Sequence, residues 1–332
     1  PLEYSRNLQG SEQMNFLLNL TYAIYIAVLI VCRVGMGGAN KCVTEVSEKK
    51  ATPGSSNWAV VALTKPGRHD KSLTKRNVQL ANKLRPYSGK HNITVLMFSE
   101  KTFTAAAVAS WQRTFQGVAR VQVVNTADRG FKGREKYGYK YMCKFFSIDL
   151  YDYLKDKYDY YMRCDSDCYI NTLNYDVMDW AEKNKVGYAF AVRKLEAHKP
   201  TRETLPQWTA SYMQTCGLTS ARTPMDVPLS TCINFYNNWH IGRVSFFNRP
   251  DVRHYLETVN ASGHILSHRW GDSTIQAYAV RVFLDPEELF QVPNFKYVHG
   301  SHGDKLVSTF GDGSETRVPQ RLPNWKYVPP KK

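Results

Sequence analysis

Two compact runs rich in β-branched and apolar residues, WAVVALT at residues 58–64 and ITVLMF at residues 93–98, flank a segment in which Leu73, Val78, Leu80, Ala81 and Leu84 recur at helical spacing. A strand of this composition is apolar on both faces and has to be covered on both. A helix over residues 72–84 is the kind of crossover that joins two parallel strands. The three segments therefore predict a β-α-β unit and an α/β domain whose folding begins near Asn57. Lys65-Pro66-Gly67 closes the first strand with a turn.

The rest of the chain extends this pattern. VARVQVVN at residues 118–125 predicts a third strand, followed by a basic, glycine-bearing loop at 129–138 and a helix over 141–154. Next comes YDYYMRCDSDCYI, an aromatic strand running directly into Asp165-Ser166-Asp167. Residues 177–183 predict a helix and 186–192 a strand. Residues 194–229 contain four prolines and no clear period, which predicts a long loop region over the site. Helices are expected at 251–259 and 273–282, separated by the turn-like HRWGD of residues 268–272. No internal repeat or Gly-x-Gly-x-x-Gly loop is present.

Ahead of this domain, residues 16–32 read FLLNLTYAIYIAVLIVC, an uncharged run just long enough to span a bilayer, which takes about 17 to 25 residues. A tail (1–15), a signal-anchor helix (16–34), a stem (35–56) and one folded domain (57–332) are expected. A cleaved signal peptide or a buried helix is the alternative; against the former, Arg33 follows the run at once and no small-residue cleavage site is evident. The formal charge of +15 suits nucleic acid, an anionic membrane or a phosphate-rich substrate. Basic residues dispersed among aromatics and carboxylates, with no long arm or zinc-finger spacing, weigh against nucleic acid. Seven cysteines without a paired CxxC do not build a disulfide scaffold or a zinc ribbon.

Chemistry concentrates where the aromatic strand ends. Ligands of open α/β sheets bind at the carboxyl ends of strands. In an extended segment alternation turns Asp165 and Asp167 to one side, where two carboxylates can clamp a divalent cation that neutralises a leaving pyrophosphate. A solvated turn is the plain alternative. His299, with His302 nearby, is the candidate for a further ligand, or else an ordinary loop histidine. Arg163 would contact phosphate or pair with a neighbouring Asp, and Arg269 and Asp272 would serve either the reaction or local ion pairing and capping.

At these residues the chain resembles glycosyltransferase family 15, the fungal α-1,2-mannosyltransferases. YKYMCKFFS at 139–147 is similar to a family block of the type YRHMCRFYSG, and YYMRCDSDCYI to its YWRVEPDV segment. STCINFYNNWHIGRVSFF at 230–247 resembles STCHFWSNFEIGDMDFW with one residue inserted. HRWGDSTIQAYAVRVFLD at 268–285 is close to ERWGDAPVHSIAVALFLD, and FKYVHG parallels the segment after it. The resemblance implies a single GT-A (Rossmann-like) domain with a mixed central sheet in a type II Golgi membrane protein, luminal, acting on a glycan or glycoprotein. It also implies GDP-mannose as donor, manganese as cofactor and retention of configuration. By the same resemblance Asp167 and His299 would hold the metal, and Lys65, Tyr139 and Arg163 would bind the donor; Asp165 joins both sets from its place in the acidic clamp. Asp272 and Arg269 would line the reacting sugars.

Two departures bear on the reaction. The family's Glu in NFEIGD is replaced by His240, and the Asp that follows by Arg243. A histidine does not replace that carboxylate electrostatically. Either another group substitutes, leaving Asp272 as first choice and His240 as second, or the displacement is front-face and needs no enzyme nucleophile, or the donor is another nucleotide sugar such as a UDP-hexose. A non-catalytic sugar-binding relative is the non-enzyme alternative.

Overall fold

The computed structural model describes residues 42, 56–64, 70–126, 138–223, 225, 227–300 and 305–308. The expected anchor, nearly all of the stem, Lys65, most of the basic loop and His302 lie outside the described residues. Among the described residues no helix is long and apolar enough to cross a membrane.

The predicted β-α-β unit forms as β1 (Asn57–Leu63), α1 (Asp70–Leu84) and β2 (Asn92–Ser99), with β1 and β2 parallel and Trp58 opposite Ile93. Val60 and Val95 have no solvent exposure. Burial of that kind contributes about 1.5–3 kcal/mol per side chain. Helix α2 (Ala105–Thr114), capped by the Thr104 hydroxyl, leads to β3 (Arg120–Asn125), parallel to β2. Helix α3 (Gly138–Lys144) passes through a π-helical stretch (Phe145–Asp149) into α4 (Leu150–Leu154), covering the 141–154 prediction.

The aromatic strand is β4 (Tyr160–Cys164), buried along its whole length, parallel to β1. Tyr160 stacks on Trp58 with centroids 4.8 Å apart. After β5 (Cys168–Thr172) come α5 (Val177–Lys183), β6 (Tyr188–Phe190) and β7 (Arg193–Leu195). The segment expected to be a loop instead contains α6 (Lys199–Thr215), a 17-residue helix. Pro200 sits in its first turn, where a missing N–H costs nothing, and Pro206 is tolerated in a buried interior position. The inward face is Thr201, Leu205, Pro206, Thr209, Tyr212 and Met213. Polar threonines on that face hide the helical period from a hydrophobicity reading.

Strands β8 (Ile233–Phe235) and β9 (Trp239–Arg243) carry the third resembling block, and α7 (Val244–Phe247), α8 (Pro250–Ala261), α9 (His264–Ser267) and α10 (Asp272–Phe283) follow. β10 (Leu289–Gln291), β11 (Lys296–His299) and β12 (Lys305–Ser308) end the described chain. Among the described residues the central sheet has seven strands in the order β10-β6-β9-β4-β1-β2-β3. It is mixed, because β9 runs antiparallel between β4 and β6. β12-β11-β5 form an antiparallel sheet, and β7 and β8 pair antiparallel as a separate two-stranded sheet.

One glycine lets the reversed strand lie close against a tyrosine ring of β4. Gly242 on β9 lies opposite Tyr161 on β4, and a Cβ there would come within 2.5 Å of the tyrosine ring. The close approach seats the Tyr161 hydroxyl 3.1 Å from His240 Nε2.

Candidate active site

β4 delivers the chain to the site from the middle of the sheet. Its continuation is a turn, not extended strand: Cys168 N donates to Asp165 O at 3.0 Å and Asp165 N to Asn238 O at 3.0 Å. From α1, fully buried Arg76 donates through Nε to Asp165 O at 3.3 Å and through Nη2 to Cys164 O, fixing the carbonyls that close the turn. The expectation that strand alternation would aim both carboxylates to one side is therefore corrected, because the backbone turns between them.

The two carboxylates meet different partners. Asp165 folds back onto Arg163, with Nε to Oδ1 at 2.7 Å and Nη2 to Oδ2 at 3.1 Å, a bidentate pair. The same guanidinium reaches Asp272 Oδ2 through Nη1 at 2.5 Å and lies 3.5 Å above the Phe146 ring. Asp272 is the first residue of α10, where the helix dipole favours a negative charge. It also accepts from Asn237 Nδ2 at 2.8 Å. Gln276, one turn on, accepts from Asn237 and donates to Phe146 O and the Tyr151 hydroxyl. Burial opposes the Arg163 charge, but Asp165 and Asp272 outweigh it and raise the pKa, so the guanidinium stays charged at 2 % exposure.

Asp167 takes the other direction. Its Oδ1 lies 3.3 Å from His299 Nε2, and its carbonyl accepts from Gly300 N at 3.0 Å. The Tyr236 hydroxyl is 3.0 Å from His299 Nδ1 and so orients the ring with Nε2 toward Asp167. Cys168 stands opposite His299 in the β5–β11 register. Ligand atoms of Asp167, Cys168 and His299 lie within 4.8 Å of one another. Carboxylate, imidazole and thiol form a donor set that fits a divalent cation.

The remaining expected residues frame this centre. Arg269, in a left-handed conformation with φ 57°, places its guanidinium 4.3 Å over the exposed Tyr139 ring. Its carbonyl accepts from the Thr201 hydroxyl at 3.2 Å, and Trp270 Nε1 donates to Thr204 at 2.8 Å, so α6 pins the turn that precedes Asp272. His240 is enclosed, at zero exposure, between Tyr188 and Tyr161. Its Nδ1 bonds Asn237 O at 2.9 Å and its Nε2 bonds the Tyr161 hydroxyl at 3.1 Å. Burial, reinforced by Arg163, pushes its pKa down to about 3, so the ring is neutral. The structure thus brings Arg163, Asp165 and Asp272 together, and Asp167 and His299 together, while His240 is part of the core beneath them.

Several residues of the site carried no signal of their own. Arg76 acts on a turn 89 positions away. Tyr236 and Asn237 lie inside the block that carries the resemblance but are ordinary polar residues in isolation. Glu196, in the segment read as loop, accepts from Thr274 Oγ1 at 2.6 Å, Asn234 Nδ2 at 3.2 Å and His198 N at 2.8 Å, beside the start of α10.

Comparison with known proteins agrees with the resemblance. Residues 88–305 match the family described as glycolipid 2-alpha-mannosyltransferase. The chain is 26% identical over 175 residues to the alpha-1,2 mannosyltransferase KTR1 of Saccharomyces cerevisiae, covering 50% of this chain and 44% of that protein. It is 28% identical over 171 residues to glycolipid 2-alpha-mannosyltransferase 1 of Candida albicans, covering 48% and 39%. The chain thus spans less than half the length of these two relatives. Core-mannan synthase A of Aspergillus fumigatus, solved in a Mn/GDP form, has the same fold, with TM-score 0.63 at 19% identity over 82% of this chain and 83% of that one. The mannosyltransferase Ktr4p of S. cerevisiae, solved with GDP, matches with TM-score 0.61 at 17% identity over 86% and 84%. With a family match that takes in well over half of its residues, this chain belongs to the glycolipid 2-alpha-mannosyltransferase family, glycosyltransferase family 15.

Proposed function

We propose that the chain is a metal-dependent GT-A glycosyltransferase that moves a hexose, mannose from GDP-mannose, with retention, onto a glycan or glycoprotein acceptor. The reading places it in the lumen of the Golgi or another secretory compartment, as a single-pass type II protein held by residues 16–34. The observation that carries it is the meeting of Asp167 with His299 beside the Arg163-bridged Asp165 and Asp272, at the carboxyl end of β4. Asp167 and His299 would hold a divalent cation, manganese in this reading, whose chemistry is to neutralise the departing diphosphate.

The chain's own residues supply position and field. Arg163 engages two carboxylates, so it acts by holding Asp165 and Asp272 in place. Asp272, fixed by Arg163 and Asn237, is the carboxylate assigned to the reacting sugars, and the exposed Arg269–Tyr139 pair offers a charged aromatic face to a sugar or phosphate. His240, neutral and fully enclosed, has no route to a sugar carbon. Its seclusion favours a front-face displacement in which the leaving diphosphate, not an enzyme nucleophile, assists the acceptor. The replacement of a carboxylate by His240 also motivates a second reading, the same fold with a UDP-hexose donor.

Asp167→Asn tests the proposal. Metal-dependent turnover should fall at least about a hundredfold with the unfolding midpoint little changed. Full activity in that variant would sink the reading.

A further inference from the structure

Cys168 opens β5 directly after the acidic turn. That thiol is buried to 1 % exposure and faces His299 across the antiparallel β5–β11 pair. Residues directly opposite on such a pair carry their side chains on the same face. Asp167, the next residue back, brings its carboxylate to the same point through the turn, so Sγ, the carboxylate and the imidazole nitrogen all lie within 4.8 Å of one another. Donor atoms around one tetrahedral zinc-sized ion sit about 3.5 Å apart, which small side-chain rotations can reach from this arrangement. The nearest competing partner is the Asn238 carbonyl, 3.2 Å from Sγ.

We propose that Cys168 is a third protein ligand at the Asp167/His299 centre, used when the cation is soft. The inference rests on the proposed function's assignment of a divalent cation to that centre. Manganese prefers oxygen donors, and Asp167 and His299 serve it. Zinc and cadmium prefer thiolate and imidazole and recruit all three. As such an ion binds, the Cys168 proton passes to solvent and the Sγ–Asn238 hydrogen bond is exchanged for an Sγ–metal bond. The consequence is a centre of mixed hardness, at which zinc displaces manganese more readily than at a carboxylate and histidine alone. The neighbouring Cys164, also buried and free, sits on β4 behind the turn and is absent from this cluster.

The test uses the full chain stripped of metal. Cadmium titration is followed by sulfur-to-cadmium charge-transfer absorption, and manganese uptake by loss of the free-ion paramagnetic signal, in the unaltered chain and in Cys168→Ser, Cys164→Ser and His299→Ala. The expected result is a saturating charge-transfer band in the unaltered chain and in Cys164→Ser, absent from Cys168→Ser and His299→Ala. The ratio of manganese to cadmium dissociation constants should also shift toward manganese by at least about tenfold in Cys168→Ser. Manganese uptake without any cadmium–sulfur band, or a band that survives Cys168→Ser undiminished, overturns the proposal and leaves the cation reading intact. Uptake of neither metal overturns both.

Discussion

Arg163 and His240 stand directly opposite each other on β4 and β9, a buried cation facing a buried histidine that carries no charge. Where the family has a carboxylate, the resemblance leads one to expect a group reaching for the substrate. In this chain the position is instead occupied by a neutral ring that donates from Nδ1 to Asn237 O and accepts at Nε2 from the Tyr161 hydroxyl, between Tyr188 and Tyr161.

That arrangement makes stability depend on pH. His240 has a folded pKa near 3 against an ordinary value of 6.5, so the unfolded chain binds the extra proton. Its contribution is complete above about pH 6.5 and declines as pH falls toward 3, by about 1.4 kcal/mol per pH unit, or roughly 2 kcal/mol by pH 5. The groups facing the ring are Arg163 and Asp272, besides Tyr161 and Tyr188. Urea unfolding between pH 7 and 5 should show His240→Gln losing less stability over that interval than the unaltered chain. Parallel curves would contradict the assignment.

Asp272 and Arg163 form a buried pair whose halves depend on each other. Asp272→Asn leaves the guanidinium with Asp165 alone and should cost about 3 kcal/mol, measured by the same unfolding experiment. The double replacement Arg163→Met/Asp272→Leu should cost less than the sum of the single changes, since no unpaired charge remains. Additive losses would mean the two groups are not coupled.

Gly242 is held to glycine by the Tyr161 ring across the strand pair. Gly242→Ala should lower stability by about 1–3 kcal/mol through overpacking. Combining it with Tyr161→Leu should recover part of that loss. A Gly242→Ala chain as stable as the original would show that β9 can shift away from β4 at no cost.

Much of the frame was legible from sequence. Residues 58–64 and 93–98 advertise buried strands because their apolar character is continuous, and α1, α5 and α10 follow their periods closely. The antiparallel insertion of β9 was not legible from its own pattern, since a strand buried on both faces reads alike in either direction. Helix α6 was concealed by Pro200, Pro206 and a threonine-bearing inner face. At the site, the Asp-x-Asp triplet at a strand end and the family resemblance together pointed to Asp165, Asp167, Asp272 and His299. The split of the two aspartates between Arg163 and His299 depends on a turn that Arg76 and Asn238 hold from remote positions, which strand alternation does not anticipate.

The most direct measurement is release of nucleoside diphosphate by the chain from a panel of GDP- and UDP-sugars, with manganese and with chelator. GDP should be released from GDP-mannose only when manganese is present, and not by the Asp167→Asn chain. Release from a UDP-hexose alone would contradict the mannosyl assignment, and the absence of turnover and binding with every donor would contradict the assignment of a transferase.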